Sequence, residues 1–318
     1  MIINTGMRTD IPAFYSTWLL NRIKEGYVLV RNPYYRQQVT RYSLSPEFVD
    51  CIAFCTKNPH PLISHLKELD KYKQFWFVTI TPYGKYLEPN VPDKKQVIED
   101  FKVLSKHLGK NAVALRYDPI LIAPNFSLEK HIIAFEKLLS QLQGYTEDVT
   151  ISFLDMYDKV KRNAPNIRTL TDEEQNVIGQ EFAKIGEKYG MVIHGCCEKA
   201  ELEQFGIDIS GCMSQEIVEK AIGYSLNAPK NNSKRESCNC LMGNDIGMYN
   251  TCMHLCKYCY ANYSEELVKS NVAKHNPKSP FLIGESEEGD KVTNAQQLLW
   301  KRKNNNIEQI KFKLADND

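Results

Sequence analysis

Three cysteines crowd the segment D-I-G-M-Y-N-T-C-M-H-L-C-K-Y-C-Y-A-N: Cys252, Cys256 and Cys259, spaced C-x3-C-x2-C. Thiolates this close along the chain can wrap a compact inorganic core from one loop. On a [4Fe–4S] cubane they leave one iron without a protein ligand, open to a substrate or cofactor. A structural zinc ion asks instead for a closed tetrahedron with a fourth Cys or His. His254 lies inside the loop and Cys238 and Cys240 lie upstream, so counting alone leaves zinc open.

Ten cysteines occur in all, and eight of them fall between residues 196 and 259. Clustered cysteines in a large cytosolic chain more often bind metal or do redox work than form disulfides. Cys197, Cys212, Cys238 and Cys240, with Cys196 beside them, could make a second metal site, either an auxiliary iron–sulfur cluster or tetrahedral zinc. The plainer reading is that some are small buried hydrophobes. Cys51 and Cys55 sit in an apolar strand and read as core. His194, near Cys196 and Cys197, is a further ligand candidate, although a strand histidine is more often a satisfied rim group.

The elements that must position these groups alternate. Strand-like runs are MIINTG, VDCIAFCTK (49–57), QFWFVTITP (74–82), NAVALRYDP (111–119), DVTISFLD (148–155) and GMVIHGCCE (190–198), with GIDISGC (206–212) and DIGMYN (245–250) weaker. Helical patterns lie between them: IPAFYSTWLLNRIKEG, HPLISHLKELDKY, DKKQVIEDFKVLSKHLG, SLEKHIIAFEKLLSQLQG and TDEEQNVIGQEFAKIGEKYG. In the last, Val177, Phe182, Ile185 and Tyr189 are expected to share a face, with Thr171 as N-cap and Gly190 past the end. Repeated strand-then-helix order predicts an α/β fold of parallel strands: a complete or partial (β/α) barrel, or an open doubly wound sheet. Either collects functional groups at the C-terminal ends of the strands. Those ends carry Thr5, Gly6 and Arg8, then Lys57, Thr81, Arg116 with Asp118, and His194 to Glu198. Arg116 and Asp118 are expected to pair with each other or to meet a cofactor and substrate as catalytic groups. The organisation expected is one barrel-like domain over 1–270, with cysteines clustered at 238–259, and a partly helical extension over 271–318. Residues 228–240 read as a polar, irregular connection.

C-x3-C-x2-C with Tyr258 before the last cysteine resembles the signature of radical S-adenosylmethionine enzymes. The run C-K-Y-C-Y-A-N is especially similar to the spore photoproduct lyase and DNA-repair-like branch. That resemblance implies a [4Fe–4S] cluster on Cys252, Cys256 and Cys259, with S-adenosylmethionine chelating the open iron. One electron, from a donor such as a flavodoxin or ferredoxin, would then cleave the sulfonium to a 5′-deoxyadenosyl radical that takes hydrogen from the substrate. Superfamily members place the motif near the N-terminus, after their first barrel strand; here it stands near the C-terminal end. With DIGMYN as the first strand and MIINTG as the second, the implied fold is a circularly permuted radical-enzyme TIM barrel. The superfamily uses the end of the second strand to meet the methionine amine, which implies cofactor binding by Thr5, Gly6 and Arg8. Lys57 would meet the carboxylate, and Thr81 and Tyr258 would line the same site. Features along nearly the whole chain, including RTDIPAFYSTWLLNRIKEGYVLVRNP, FCTKNP, TITPYGKYLEPNVP and DIGMYNTC, resemble the family called domain of unknown function 1848.

Composition narrows the partners. A formal charge of +1 supplies no global field for nucleic acid or anionic lipid, so such binding would need a local patch. RNPYYRQQVTRYS (31–43) is one candidate, since Arg31, Arg36 and Arg41 could grip phosphates while Tyr34, Tyr35 and Tyr42 stack on bases. A solvated hairpin is the plainer alternative. The N-terminus lacks a basic region followed by an apolar run, and no stretch approaches roughly 18 apolar residues, so the chain is expected to be cytoplasmic with no membrane partner. No G-x-S-x-G, Walker loop or G-x-G-x-x-G occurs.

Overall fold

A computed structural model describes residues 1–229, 238–241 and 243–302. The strands among them are β1 (Ile2–Asn4), β2 (Tyr27–Arg31), β3 (Gln38–Ser43), β4 (Cys51–Thr56), β5 (Gln74–Thr79), β6 (Val113–Ile120), β7 (Asp148–Phe153), β8 (Val192–Gly195), β9 (Asn244–Asp245) and β10 (Lys291–Asn294). The α-helices are α1 (Ile11–Phe14), α2 (Ser16–Glu25), α3 (His60–Ile63), α4 (Leu66–Leu69), α5 (Lys94–Leu108), α6 (Leu128–Leu142), α7 (Asp158–Asn163), α8 (Asp172–Tyr189), α9 (Gln215–Ile222) and α10 (Glu265–Val272).

Seven strands form one sheet in the order β8-β7-β6-β5-β4-β1-β9, and every neighbouring pair is parallel. All seven therefore deliver their C-terminal ends to one rim. Six strands follow one another in chain order, and β9 comes back to the free side of β1 through the pairs Ile3–Asn244 and Asn4–Asp245. The fold is α/β as expected, but a complete barrel does not form: β8 and β9 are the two edges and do not pair. The chain between them crosses one face of the sheet instead, where Ile217, Val218 and Ile222 of α9 cover Ile2, Cys51, Ala53, Phe75, Phe77 and Ala114. The opposite face carries the larger core, with Ile3, Phe54, Trp76, Leu115 and Ile151 packed among buried residues of α2, α5, α6 and α8. Phe54 stacks on Trp76 with ring centres 4.0 Å apart. Each such side chain taken out of water contributes about 1.5–3 kcal/mol, so the face with the larger core buries more stabilising surface.

Local chemistry sets the helix boundaries. Thr171 and Glu174 form the capping box of α8, and Gly190 ends it at φ 69°. Its buried stripe runs through Ile178, Phe182 and Ile185; Val177, expected on that face, is exposed. The pattern over 11–26 is two helices, because Tyr15 leaves helical geometry at φ −131°. HPLISHLKELDKY likewise makes two single turns, α3 and α4. GIDISGC forms no strand, only an isolated bridge of Asp208 to His194, and DIGMYN shortens to the two residues of β9.

The tail departs from expectation. In TNAQQLLWKRK the start belongs to β10, which adds in parallel to the β2–β3 hairpin, and the rest to residue 302 is irregular rather than helical. Backbone capture explains this: Asp50 accepts the amides of Trp300 (2.8 Å) and Lys301 (3.2 Å), and Gln297 pairs with the backbone of Ser43. The tail also lies against α2, where Trp18 Nε1 donates to the carbonyls of Ser279 and Phe281, each at 3.0 Å. Most of the 228–240 connection (230–237) and everything from 303 onward lie outside the described residues. No helix among those described is long and apolar enough to cross a membrane.

Gly6, just past β1, has no room for a side chain: a Cβ there would stand 2.1 Å from the carbonyl oxygen of Cys55. Gly6→Ala should therefore lower the urea midpoint by the equivalent of about 1–3 kcal/mol. Gly84→Ala, with nothing within 4 Å of its Cβ, should leave the midpoint nearly unchanged.

Candidate metal centre

The cysteine loop follows β9 directly, and the pairing of β9 with β1 sets it at the sheet rim. Asp245 fixes the turn by accepting the amides of Met7 (2.8 Å) and Gly247 (2.9 Å), with Arg8 3.8 Å away. Asn250 and Leu255 adopt positive φ, 59° and 55°, which curls the chain. Neighbouring elements then hold the loop through its backbone. Tyr15 donates to the Thr251 carbonyl (2.7 Å), Asn90 to that of Met253 (2.8 Å) and Asn262 to that of Cys252 (2.7 Å). The break between α1 and α2 is thus what aims Tyr15 at the loop.

The three thiols are half-buried and lie near one another. Burial pushes Cys252 up, and Asp10, Cys259 and Cys256 push it further; burial also raises Cys256, to about 12, against the pull of Lys57. Cys259 Sγ accepts the Ala261 amide at 3.3 Å. Two buried oxygens beside the loop, Asn262 Oδ1 and Thr9 Oγ1, have no hydrogen-bond partner. His254 turns away from the thiols: Nε2 meets Asp10 at 2.9 Å and Nδ1 faces the Asn90 carbonyl at 3.4 Å. Asp10 is itself anchored by the amides of Ala13 and Lys57.

Lys57, Thr81 and Tyr258 do come together, around a residue the sequence did not single out. Glu88 accepts from Lys57 (2.9 Å), from Lys94, from Thr81 and from the Tyr258 hydroxyl. Burial opposes its charge, yet the two ammonium groups prevail and hold its carboxyl at about 2. The Lys57 ammonium, expected to meet a cofactor carboxylate, is therefore already paired inside the protein. Thr5 likewise spends its hydroxyl on the Ala53 carbonyl (3.3 Å), and Gly6 serves the close approach to Cys55. Glu88 lies within the run TITPYGKYLEPNVP that carries the family resemblance, but no chemical spacing singled it out, because its partners come from other segments.

Further along the rim, Arg116 pairs with Asp118, which also accepts from Ser152 at 2.8 Å. The guanidinium faces Cys212 Sγ at 3.6 Å and Cys196 Sγ at 3.9 Å, and lies over the Phe77 ring. Cys55, assigned to the core from sequence, belongs here: burial raises its thiol, Arg116 lowers it, and Asp10 and Asp118 raise it again. Cys51 is core, as expected. Cys212 touches Cys196 (3.4 Å) and Cys240 (3.5 Å), so the second set of cysteines also converges. Glu198, near Cys196, accepts the Phe153 amide at 2.8 Å, and burial lifts its carboxyl to about 8. His194 is held between Asp148 (2.9 Å) and Asp208 (2.8 Å), which occupies both ring nitrogens and removes it as a ligand. Among the described residues no three His, Cys, Asp or Glu side chains are already gathered as a metal-holding group.

The hairpin at 31–43 forms, but its charges are taken. Arg31 pairs with Asp290, Arg36 with Glu287, and Arg41 lies over the Tyr27 ring. Tyr34 and Tyr35 remain exposed, at 84% and 66%. A phosphate would have to compete with the tail's own carboxylates.

Glu88 makes an acid-stability prediction. Its carboxyl is depressed in the folded chain relative to an ordinary 4.5, so its contribution is complete above that pH and is lost as pH falls toward 2. The shift corresponds to about 3 kcal/mol. Glu88→Gln should lower stability at pH 7 by about that amount, and the gap to the wild type should narrow in urea titrations below pH 4. A constant gap across that range would show that the carboxylate's charge is not what stabilises the site.

No curated protein and no solved structure matches the chain. A family model described as "Domain of unknown function (DUF1848)" matches residues 2–261, taking in the whole parallel sheet and the cysteine loop. By that match the chain belongs to the DUF1848 family.

Proposed function

We propose that this protein is an iron–sulfur enzyme of the radical S-adenosylmethionine type, built on a partial, circularly permuted (β/α) barrel. The observation that carries the reading is the ligand count at the loop. Cys252, Cys256 and Cys259, all half-buried, lie close enough for the other two to raise the Cys252 thiol, while the three alternative fourth ligands are engaged elsewhere: His254 on Asp10 and Asn90, Cys240 on Cys212, and Cys238 on Cys240. A donor set of three thiols fits a cubane with one open corner and leaves a structural zinc ion one ligand short. The strand order supports the barrel part. Six consecutive parallel strands with β9 restored beside β1 are what joining the usual ends and opening the sheet elsewhere would give.

Cys252, Cys256 and Cys259 would hold the cluster. When bound, and given one electron from a flavodoxin- or ferredoxin-type donor, the cluster supplies reductive cleavage of S-adenosylmethionine to methionine and a 5′-deoxyadenosyl radical. The chain's own residues supply placement. Tyr15, Asn90 and Asn262 fix the loop backbone, and the Glu88 network locks Tyr258 between Cys256 and Cys259. Asn262 Oδ1 and Thr9 Oγ1 are the acceptors left for a cofactor amine. Thr5 and Gly6 shape the wall instead of donating to it, and Arg8 beside Asp245 closes the rim. Cys55, Asp118 and Ser152 line the path from the loop toward Arg116 and form the polar floor on which a substrate would rest.

Anaerobic reconstitution should load about four irons and as much sulfide on the loop, with an electron paramagnetic resonance signal that shifts when S-adenosylmethionine is added. Dithionite should then release 5′-deoxyadenosine, and Cys256→Ala should reduce that product to background while the fold is retained. A colourless protein that takes up zinc at these three cysteines and no iron would end this reading. Tyr258→Phe, which keeps the ring and removes its bond to Glu88, should preserve cluster content and lower the 5′-deoxyadenosine rate by about 10–100-fold through misplacement of the loop.

A further inference from the structure

Five cysteines outside the loop lie in a chain of sulfur contacts. Cys196 hydrogen-bonds with Cys197 and touches Cys212 at 3.4 Å; Cys212 touches Cys240 at 3.5 Å; Cys240 hydrogen-bonds with Cys238. They come from three separate stretches: the end of β8, the turn before α9, and the segment leading into β9. Hydrophobic packing gives no reason for five thiols to meet, since an apolar side chain would cover the same face more fully. Gly211, at φ 110°, brings the backbone close enough that a Cβ there would stand 3.2 Å from Cys240 Sγ.

From this geometry we infer a second metal site: a single zinc-type ion held by the thiolates of Cys196, Cys212 and Cys240, with Cys197 or Cys238 as the fourth. The spacing separates this from a second cubane. With metal–sulfur bonds near 2.3 Å, a tetrahedron sets its sulfurs about 3.8 Å apart. Contacts of 3.4 and 3.5 Å need only a small expansion to reach that edge, whereas a cubane, which binds each cysteine at a different iron, holds its thiolates well apart. Charge agrees. A tetrathiolate around a divalent ion carries net negative charge, and the partly buried Arg116 presents its guanidinium to two of the sulfurs. On binding, the thiol protons leave to solvent and no electron moves.

The position suggests what the ion does. Where β8 and β9 fail to pair, the site ties the end of β8 to the approach to β9, and so staples the open side of the sheet. It also anchors the chain immediately before the strand that carries the cysteine loop. The site is structural, and it stands whether or not the loop holds a cluster.

The test measures zinc, iron and sulfide in one sample of the full-length protein purified without oxygen. About one zinc per chain is expected. It should persist in the triple variant Cys252→Ala, Cys256→Ala, Cys259→Ala and disappear in the double variant Cys212→Ala, Cys240→Ala, while Cys51→Ala retains it. Cobalt(II) added to the zinc-free triple variant should give the intense visible bands and sulfur-to-metal charge-transfer absorption of a tetrahedral thiolate site. That measurement leaves the proposed ligands intact, so it holds even if the double variant does not fold. Iron and sulfide in place of zinc in the triple variant would mean a second cluster and overturn the inference. So would metal-free protein with an intact mass showing Cys212 oxidised to a disulfide with Cys196 or Cys240.

Discussion

Two hydrogen-bonded residues, Asn244 and Asp245, carry the organisation of this molecule. Their parallel pairing with Ile3 and Asn4 is the shortest in the sheet, yet it returns a distant part of the chain to the edge beside β1. Ile246 extends it by donating to the Asn4 carbonyl at 3.0 Å. Once that register is set, Asp245 can cap the turn after β1 and the cysteine loop must emerge over the same rim as Lys57, Thr81 and Arg116. A strand this short cannot hold its place through its own ladder. It depends on the loop contacts above it and on the chain before it, where Cys240 meets Cys212.

Buried charge does the rest of the positioning. Carboxylates recur as fixed acceptors: Asp10 for His254 and two backbone amides, Asp50 for the tail, Glu88 for two lysines and Tyr258. Each would be costly to bury alone, but each is satisfied several times over, and removing a partner would leave an uncompensated buried charge. The consequence for chemistry is a rim whose cations are mostly committed. Lys57 and Lys94 belong to Glu88, Arg116 to Asp118 and two sulfurs, Arg31 and Arg36 to the tail. The rim is therefore a scaffold for a bound group more than an electrostatic trap for an anion.

The two sets of cysteines divide the rim. One set sits in a single loop held through backbone carbonyls, with Cys259 also accepting the Ala261 amide and Cys256 near Lys57. The other is assembled from three stretches and faces an arginine. Contiguity suits a loop that wraps a cofactor and leaves it accessible; assembly from distant stretches suits a staple. Cys55 lies between them on β4, facing Arg116, Asp10 and Asp118.

Much of this was legible in the residues. Alternating β-branched runs and amphipathic stretches gave the parallel α/β fold, Thr171 and Gly190 marked the ends of α8, and the C-x3-C-x2-C spacing marked the loop, because each of these is a local property of adjacent side chains. The pairing of Arg116 with Asp118 was legible for the same reason. What required tertiary structure was everything set by long-range partners. Whether the barrel closes depends on β8 and β9, whose strengths are not written in either strand. Cys55 and Cys51 look alike in sequence and differ only in what stands opposite. Glu88 has meaning only when Lys57, Lys94 and Tyr258 arrive from three other segments. The irregular tail is helical by composition, but pairing with β3 and capture by Asp50 outweigh that preference. Sequence determined which groups could do chemistry; the sheet decided which of them meet, since only folding sets the distance between residues far apart in the chain.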